Sequence, residues 1–249
     1  MATLVYQSAT NERAVGRRSE HRFFAGMTGI IALIFFIGFA RTYYLARVFH
    51  AKPLAAPIVH VHGAVFTCWI VLLIIQASLV GTGRMRAHRR LGLLGLGLAP
   101  LVVALGVLVA LEMVRRFAAV PSLDSPLIFA VALSEITGFA VPVFFAFRLR
   151  RKPALHKRLI MIGTIAMTTA GFGRWPIPFL LHKPLPAMLC AFALLATMIV
   201  FDLVSTRRVR PETAWGTAWV VCVELGAFAV GHTAAWRVFV THVRSLPLS

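Results

Sequence analysis

The sequence predicts an all-α membrane protein, a bundle of seven transmembrane helices. Composition is the first observation, because 59% of the residues are apolar and 14% are charged, whereas about a quarter of the residues in a soluble protein are charged. The second is a series of long apolar runs, each close to the roughly 20 residues that a helix needs to cross a bilayer. The third is the concentration of Lys and Arg in short segments between those runs.

Seven apolar runs are long enough to span a membrane. Residues 1–22 precede them and are polar and basic, so we expect a disordered or surface-lying cytoplasmic tail with too little apolar content to pack. Residues 23–239 then form a seven-helix membrane domain, and residues 240–249 form a short outer tail. The predicted spans are 23–48, 58–80, 91–114, 126–148, 156–180, 185–205 and 214–239.

The distribution of Lys and Arg predicts the orientation of the bundle. Seventeen of the 26 fall on one side of the predicted membrane, in 1–22, 84–90, 148–158 and 207–210. Because cytoplasmic loops are enriched in Lys and Arg, the N-terminus is predicted to be cytoplasmic and the C-terminus outside. A net charge of +18 would suggest nucleic acid for a soluble domain. Between apolar runs it indicates anionic lipid headgroups as the partner, and no nucleic acid.

Residues 60–92 contain the central group of candidate functional side chains. His62, Trp69 and Gln76 recur every seven residues and therefore share one face of a helix. His60 lies on the opposite face, together with small residues that favour a close contact between helices. His62, Trp69 and Gln76 are therefore the better candidates to line an interior.

Several ionisable residues lie inside the predicted spans, where each costs roughly 2.5–3.5 kcal/mol on insertion. Glu135 and Glu224 are each about ten residues from the start of their span, too deep for a short side chain to reach water. They are expected either to be protonated and hydrogen-bonded or to pair with an arginine or a metal. Arg41 and Arg174, nearer the outer end, either extend to the headgroups or hold an anion or a carboxylate. His232 lies two turns outward from Glu224.

Two similar basic blocks, His88-Arg-Arg-Leu-Gly and His156-Lys-Arg-Leu, open the third and fifth spans as a faint internal repeat. With His-x-His-Gly at 60–63 and Arg174-Trp-Pro, they resemble a broad set of bacterial multi-spanning membrane proteins of unknown function, over roughly residues 40–180. This resemblance implies a bacterial inner-membrane protein and supplies no established activity. Helices opening with His-Arg-x-Leu-Gly also look like those of b-type haem ferric reductases, but this chain lacks two histidines spaced along one helix.

The leading functional hypothesis is a membrane redox or metal-binding protein that holds haem b or a transition metal. Haem b between helices needs two imidazoles at matched depth, and a metal ion needs three or four converging donors. The outer candidates, for metal and cofactor alike, are His60 or His62 with His232. The inner cofactor candidates are His88 and His156.

Two further hypotheses remain open at this point. One is a proton-coupled transporter in which Glu135, Glu224 and His232 titrate while Arg41 or Arg174 holds an anion. The other is a non-catalytic assembly or scaffold protein, in which the polar residues join helices and the partner is a second copy or another membrane complex. Neither a Gly-rich phosphate loop nor a nucleophile elbow occurs in the sequence, so no class of enzyme is indicated.

Overall fold

A computed structural model describes residues 2–51, 56–118, 120 and 123–245, and only the backbone at 2–17 and 117. Within these ranges all regular structure is helical and no strand occurs, which confirms the all-α prediction. A π-helical segment at Ala40–Tyr44 follows the first helix. The α-helices are α1 (Ala2–Phe39), α2 (Pro57–Gly81), α3 (Met85–Phe117), α4 (Ser125–Arg148), α5 (Pro153–Ala166), α6 (Thr168–Phe172), α7 (Pro184–Thr206), α8 (Pro211–Gly231) and α9 (Ala234–Ser245).

Six of these helices are long and apolar enough to cross a membrane, namely α1 from Arg18 onward, α2, α3, α4, α7 and α8. Large apolar side chains cover their outer surfaces: Leu93, Phe144 and Val204 are 63%, 60% and 74% exposed. Such surfaces are unfavourable in water and suit contact with lipid tails. The helices therefore support a polytopic membrane protein.

The fifth predicted span, 156–180, is divided into two helices. The 14-residue α5 ends at Ala166, and the five-residue α6 begins at Thr168. The hydroxyl of Thr168 donates to the carbonyl of Ile165 over 2.6 Å, and such side-chain bonds compete with the regular helical pattern. In α5, eight of the nine residues in 158–166 are buried. α5 is therefore short and lies in the interior of the bundle.

α6 lies against α1 at a glycine contact. A Cβ atom at Gly38 would overlap the backbone carbonyl of Gly171, so only glycine permits this approach. The indole of Trp175 also donates to the carbonyl of Ile34 over 3.2 Å, which fixes the chain just beyond α6 to the same helix. The divided segment is thus held on α1 at its far end.

Both ends of the chain differ from their predicted form. The backbone from Ala2 to residue 22, predicted as a disordered or surface-lying tail, is helical and continuous with the first span. The last span, predicted to reach residue 239, ends at Gly231, and α9 then turns back across the ends of α3 and α4. The Trp236 indole donates to the carbonyl of Pro126 over 2.8 Å. Part of the predicted outer tail is therefore the end of α9, and residues 246–249 lie outside the described ranges.

The connections between successive crossings fall at two ends of the bundle when α5 and α6 are counted as one crossing. The basic end carries the α2–α3, α4–α5 and α7–α8 turns, and the distal end carries the π-helical segment, the α6–α7 connection and α9. α2 packs on α1 and α3, whereas α8 packs on α4, α5 and α7. α4 joins these two groups because it packs on α3, α5 and α8.

Candidate functional site

A group of polar side chains from separate elements lies within hydrogen-bonding or electrostatic range in the distal half of the bundle. The distal cluster consists of His62 on α2, Glu135 on α4, Thr169 on α6, Arg174 beyond α6 and Glu224 on α8. Glu135 and Glu224 are 7% and 1% exposed. Glu135 lies within electrostatic range of both Glu224 and Arg174, and Arg174 also acts on His62. At the membrane surface, burial and then the charge of Arg174 lower the pKa of His182.

In the described residues Arg174 is not part of an ion pair. Within the described part of the chain, no ion pair joins it to Glu135 or Glu224. Its Nη1 donates to the carbonyl of Ala170 over 2.7 Å, and its guanidinium carbon lies 4.7 Å from the centre of the Phe39 ring. These contacts hold the guanidinium in place without neutralising it, so it remains available to an anion.

Two buried polar atoms of the distal cluster have no hydrogen-bond partner in the described structure, Oε1 of Glu224 and Nδ1 of His62. The other carboxylate oxygen of Glu224 accepts from the hydroxyl of Thr169 over a long 3.5 Å. A buried polar atom without a partner costs about 1–3 kcal/mol, and native proteins keep few of them. The distal cluster is therefore suited to take up a proton, a water molecule or a small ion.

The two faces of α2 have different surroundings, and these explain the position of His62. Trp69 lies on the same face of α2, two turns along the helix from His62, and is buried. Its indole donates to the hydroxyl of Thr164 over 3.3 Å and contacts the Phe139 ring edge-on, with ring centroids 5.1 Å apart. The opposite face packs on the tyrosines of the π-helical segment, where the Tyr43 hydroxyl donates to the carbonyl of His60 over 3.2 Å. His62 therefore points toward the bundle interior.

Three predicted site residues remain at the distal surface. The side chains of His60, His232 and Arg41 are all exposed. His232 directly follows α8, and its Nδ1 lies 2.7 Å from the carbonyl of Phe228. The guanidinium carbon of Arg41 lies 5.6 Å from the centre of the Phe49 ring. None of the three has a described interaction with a member of the distal cluster, because α8 ends earlier than predicted and α2 and α8 have different neighbours.

The two predicted inner histidines lie at the basic end. His88 on α3 and His156 on α5 lie within electrostatic range. Nδ1 of His156 is 2.9 Å from the carbonyl of Ala146, and Gln76 donates to the carbonyl of His88 over 3.2 Å. Nδ1 of His88 and Oε1 of Gln76 are buried without a described partner. The two imidazoles therefore lie at the same end of the bundle, on different helices.

The described side chains do not form a recognisable metal centre. Among the described residues, no group of three or more His, Cys, Asp or Glu side chains is placed to hold a metal ion. The three cysteines, Cys68, Cys190 and Cys222, are free thiols. The outer metal site predicted from His60, His62 and His232 thus has no support in this part of the chain.

Sequence analysis missed a second ionic cluster, at the basic end. The basic-end network is centred on Arg158, which is 1% exposed and donates to Asp202 over 2.8 Å and to Glu20 over 3.0 Å. Lys157 bonds the second oxygen of Glu20 over 2.7 Å, and the Thr213 hydroxyl bonds the second oxygen of Asp202 over 2.6 Å. The network joins α1, α5, α7 and α8, and both carboxylates have partners on each oxygen.

Comparison with protein-family models, with curated proteins and with solved structures finds no match to this chain. The family resemblance of the His88 and His156 blocks therefore stays a prediction. Any functional conclusion has to come from the side chains themselves.

Proposed function

We propose that the protein is a proton-coupled transporter of the bacterial inner membrane. In this proposal α5 and α6 together make the fifth of seven crossings, with the N-terminus in the cytoplasm. The observation that carries it is the distal cluster, which holds two buried carboxylates and an arginine without an ion pair between them. Ionisable groups at this depth are costly and mark proton relays and ion pathways in membrane proteins.

The charges of the distal cluster would couple the binding of a proton to the binding of an anion. Glu135 lies within electrostatic range of both Glu224 and Arg174, so its charge state depends on the charges of these two neighbours. A proton that binds Glu135 removes one negative charge beside Arg174, and an anion that binds Arg174 restores it. Proton and anion together leave the net charge of the cluster unchanged, whereas either one alone does not. The favoured cargo is therefore an anion that moves in the same direction as the proton.

In a gated pathway, the helix break would lie beside the binding site and the basic-end network would form the gate. Secondary transporters place their sites beside discontinuous helices near the middle of the membrane, and Thr169 enters the distal cluster directly after the break between α5 and α6. At the other end, Arg158 ties α5 to α1 and α7. Opening that end requires these ion pairs to separate, so the network acts as the closed gate on the cytoplasmic side.

Proton movement in proteoliposomes tests the proposal. The purified protein is placed in liposomes that contain a pH-sensitive dye, and chloride, phosphate, lactate or succinate is added outside. We expect one of these anions to acidify the lumen with wild-type protein but not with Glu135→Gln. Glu112→Gln is the matched control, because Glu112 forms an i, i+4 ion pair with Arg116 on the outer part of α3, away from the cluster.

Two outcomes would reject the transporter proposal. One is that no anion in the panel moves protons with folded wild-type protein. The other is that Glu135→Gln and Glu112→Gln slow the proton flux equally.

A second candidate function is haem b binding by His88 and His156, which lie at the same end of the bundle within electrostatic range of each other. The carbonyl of Ala146 holds Nδ1 of His156, which leaves Nε2 free as a ligand, the usual arrangement at haem and metal sites. Haem bound there would supply electron transfer. A Soret band in protein produced with haem, lost in both His88→Ala and His156→Ala, would support this function, and a folded colourless preparation that takes up no haem would exclude it.

A further inference from the structure

An open groove of about 450 Å³ lies at the basic end, between α3 and the end of α4. It is partly apolar and partly basic, and none of its lining residues is acidic. The lining residues are Leu96, Phe144, Phe147, Arg148, Arg150 and Arg151.

The apolar wall of the groove faces outward from the bundle. Leu96 and Phe144 are 38% and 60% exposed, and both belong to helices that are apolar enough to cross a membrane. This wall therefore lies where lipid tails would surround the protein. An acyl chain could follow it without displacing any side chain from the core.

The basic rim follows directly where α4 ends. Arg148, Arg150 and Arg151 are all exposed, and in the described residues none of them forms an ion pair. Arg150 donates to the carbonyl of Phe147 over 3.4 Å, so one guanidinium is held at the mouth of the groove. Three neighbouring cations without a carboxylate repel one another, and an anion that bridges them removes this repulsion. Guanidinium groups match the geometry of a phosphate particularly well.

We propose that this groove binds one anionic phospholipid from the leaflet at the basic end. The lipid phosphate lies on the arginines of the α4–α5 turn, and one acyl chain lies along Phe144 and Leu96. The lipid source is favoured over free phosphate because the charged rim and the apolar wall are continuous in one groove. The bound lipid would also hold the turn that leads into the central helix α5. This site does not depend on the transport function.

Native mass spectrometry of the full-length protein in an uncharged detergent tests this proposal. Phosphatidylglycerol, phosphatidylcholine and inorganic phosphate are titrated separately. We expect one phosphatidylglycerol per protein to stay bound under conditions that remove phosphatidylcholine, and inorganic phosphate to compete only weakly. Arg150→Gln/Arg151→Gln should weaken phosphatidylglycerol binding roughly 30-fold, since each of the two cations near a charged membrane contributes about fivefold to the affinity.

Arg207→Gln/Arg208→Gln is the matched control, because it removes two exposed cations from another turn at the same end. It should change the affinity by less than about threefold if the site is local rather than a general charge effect. Phe144→Ser keeps every charge and should also weaken lipid binding. Gel filtration and circular dichroism establish that each variant is folded.

Three results would overturn the lipid site. They are equal retention of phosphatidylcholine and phosphatidylglycerol, equal weakening by the two double variants, and wild-type binding in Phe144→Ser with strong competition by phosphate. The last result would show a simple phosphate site.

Discussion

Two polar clusters inside this protein each contain an arginine and two carboxylates, but only one of them forms ion pairs between these groups in the described structure. In the basic-end network, Arg158 donates to both Asp202 and Glu20 within 3.0 Å. In the distal cluster, Arg174 bonds a backbone carbonyl instead, and its two neighbouring glutamates have no ion pair in the described structure. A fully bonded polar network fixes the packing of helices. A partly bonded one costs stability, and such departures are common at functional sites.

The largest effect is expected from removal of the central cation of the basic-end network. Arg158→Met would leave the carboxylate of Asp202, itself 1% exposed, without its charged partner. Breaking a buried ion pair on one side costs about 3–5 kcal/mol of folding free energy. Reversible unfolding in mixed detergent micelles, followed by circular dichroism, measures this loss.

Arg90→Met is the control for Arg158→Met. Arg90 holds the same position in the His88 block that Arg158 holds in the His156 block, but it is exposed. We expect a change within about 0.5 kcal/mol, as for most surface substitutions. Equal losses in the two variants would mean that the basic-end network does not stabilise the fold.

A double substitution separates the free-energy cost of leaving one buried charge unpaired from the net contribution of the ion pair to stability. Arg158→Met/Asp202→Leu removes both charges that meet at 2.8 Å. Because apolar replacement of a buried ion pair is often nearly neutral, we expect about 2 kcal/mol of the Arg158→Met loss to return. Glu20 stays half-paired through Lys157, so the recovery should be incomplete. The same unfolding assay decides this, and an additive double variant would contradict the account.

Sequence reasoning predicted much of the fold because hydropathy is a local property. Runs of apolar residues located the six long helices, and seven-residue spacing placed Trp69 in the interior. The break between α5 and α6 was not predicted, because 156–180 reads as one apolar run. At this break the Thr168 hydroxyl donates to the carbonyl of Ile165, and α6 contacts α1 through glycine.

The candidate site was predicted only in part, because burial depends on which helices surround a residue. Glu135, Glu224 and Arg174 were identified from their depth in a span. Arg158 and Arg90 occupy matching positions in similar blocks, so the sequence did not distinguish them. Only the packing of α1, α7 and α8 around α5 buries Arg158.

Two threonines provide a finer contrast between the clusters. Thr213 donates to Asp202 over 2.6 Å, whereas Thr169 donates to Glu224 over 3.5 Å. Hydrogen bonds to charged groups contribute more than neutral ones and weaken with distance. We expect Thr213→Val to lower the free energy of unfolding by about 1.5 kcal/mol and Thr169→Val by about 0.5 kcal/mol. The reverse order, in the same unfolding assay, would contradict the assignment of the tighter bonding to the basic end.

Only a small effect on folding is expected at Glu224, where activity rather than stability should respond. Glu224→Gln keeps the shape of a side chain whose Oε1 has no described partner, so the free energy of unfolding should change by less than about 1 kcal/mol. The most direct test measures both unfolding and anion-driven proton flux on the same preparation of Glu224→Gln. The account predicts a normally stable protein that no longer moves protons, and wild-type flux in that stable variant would contradict it.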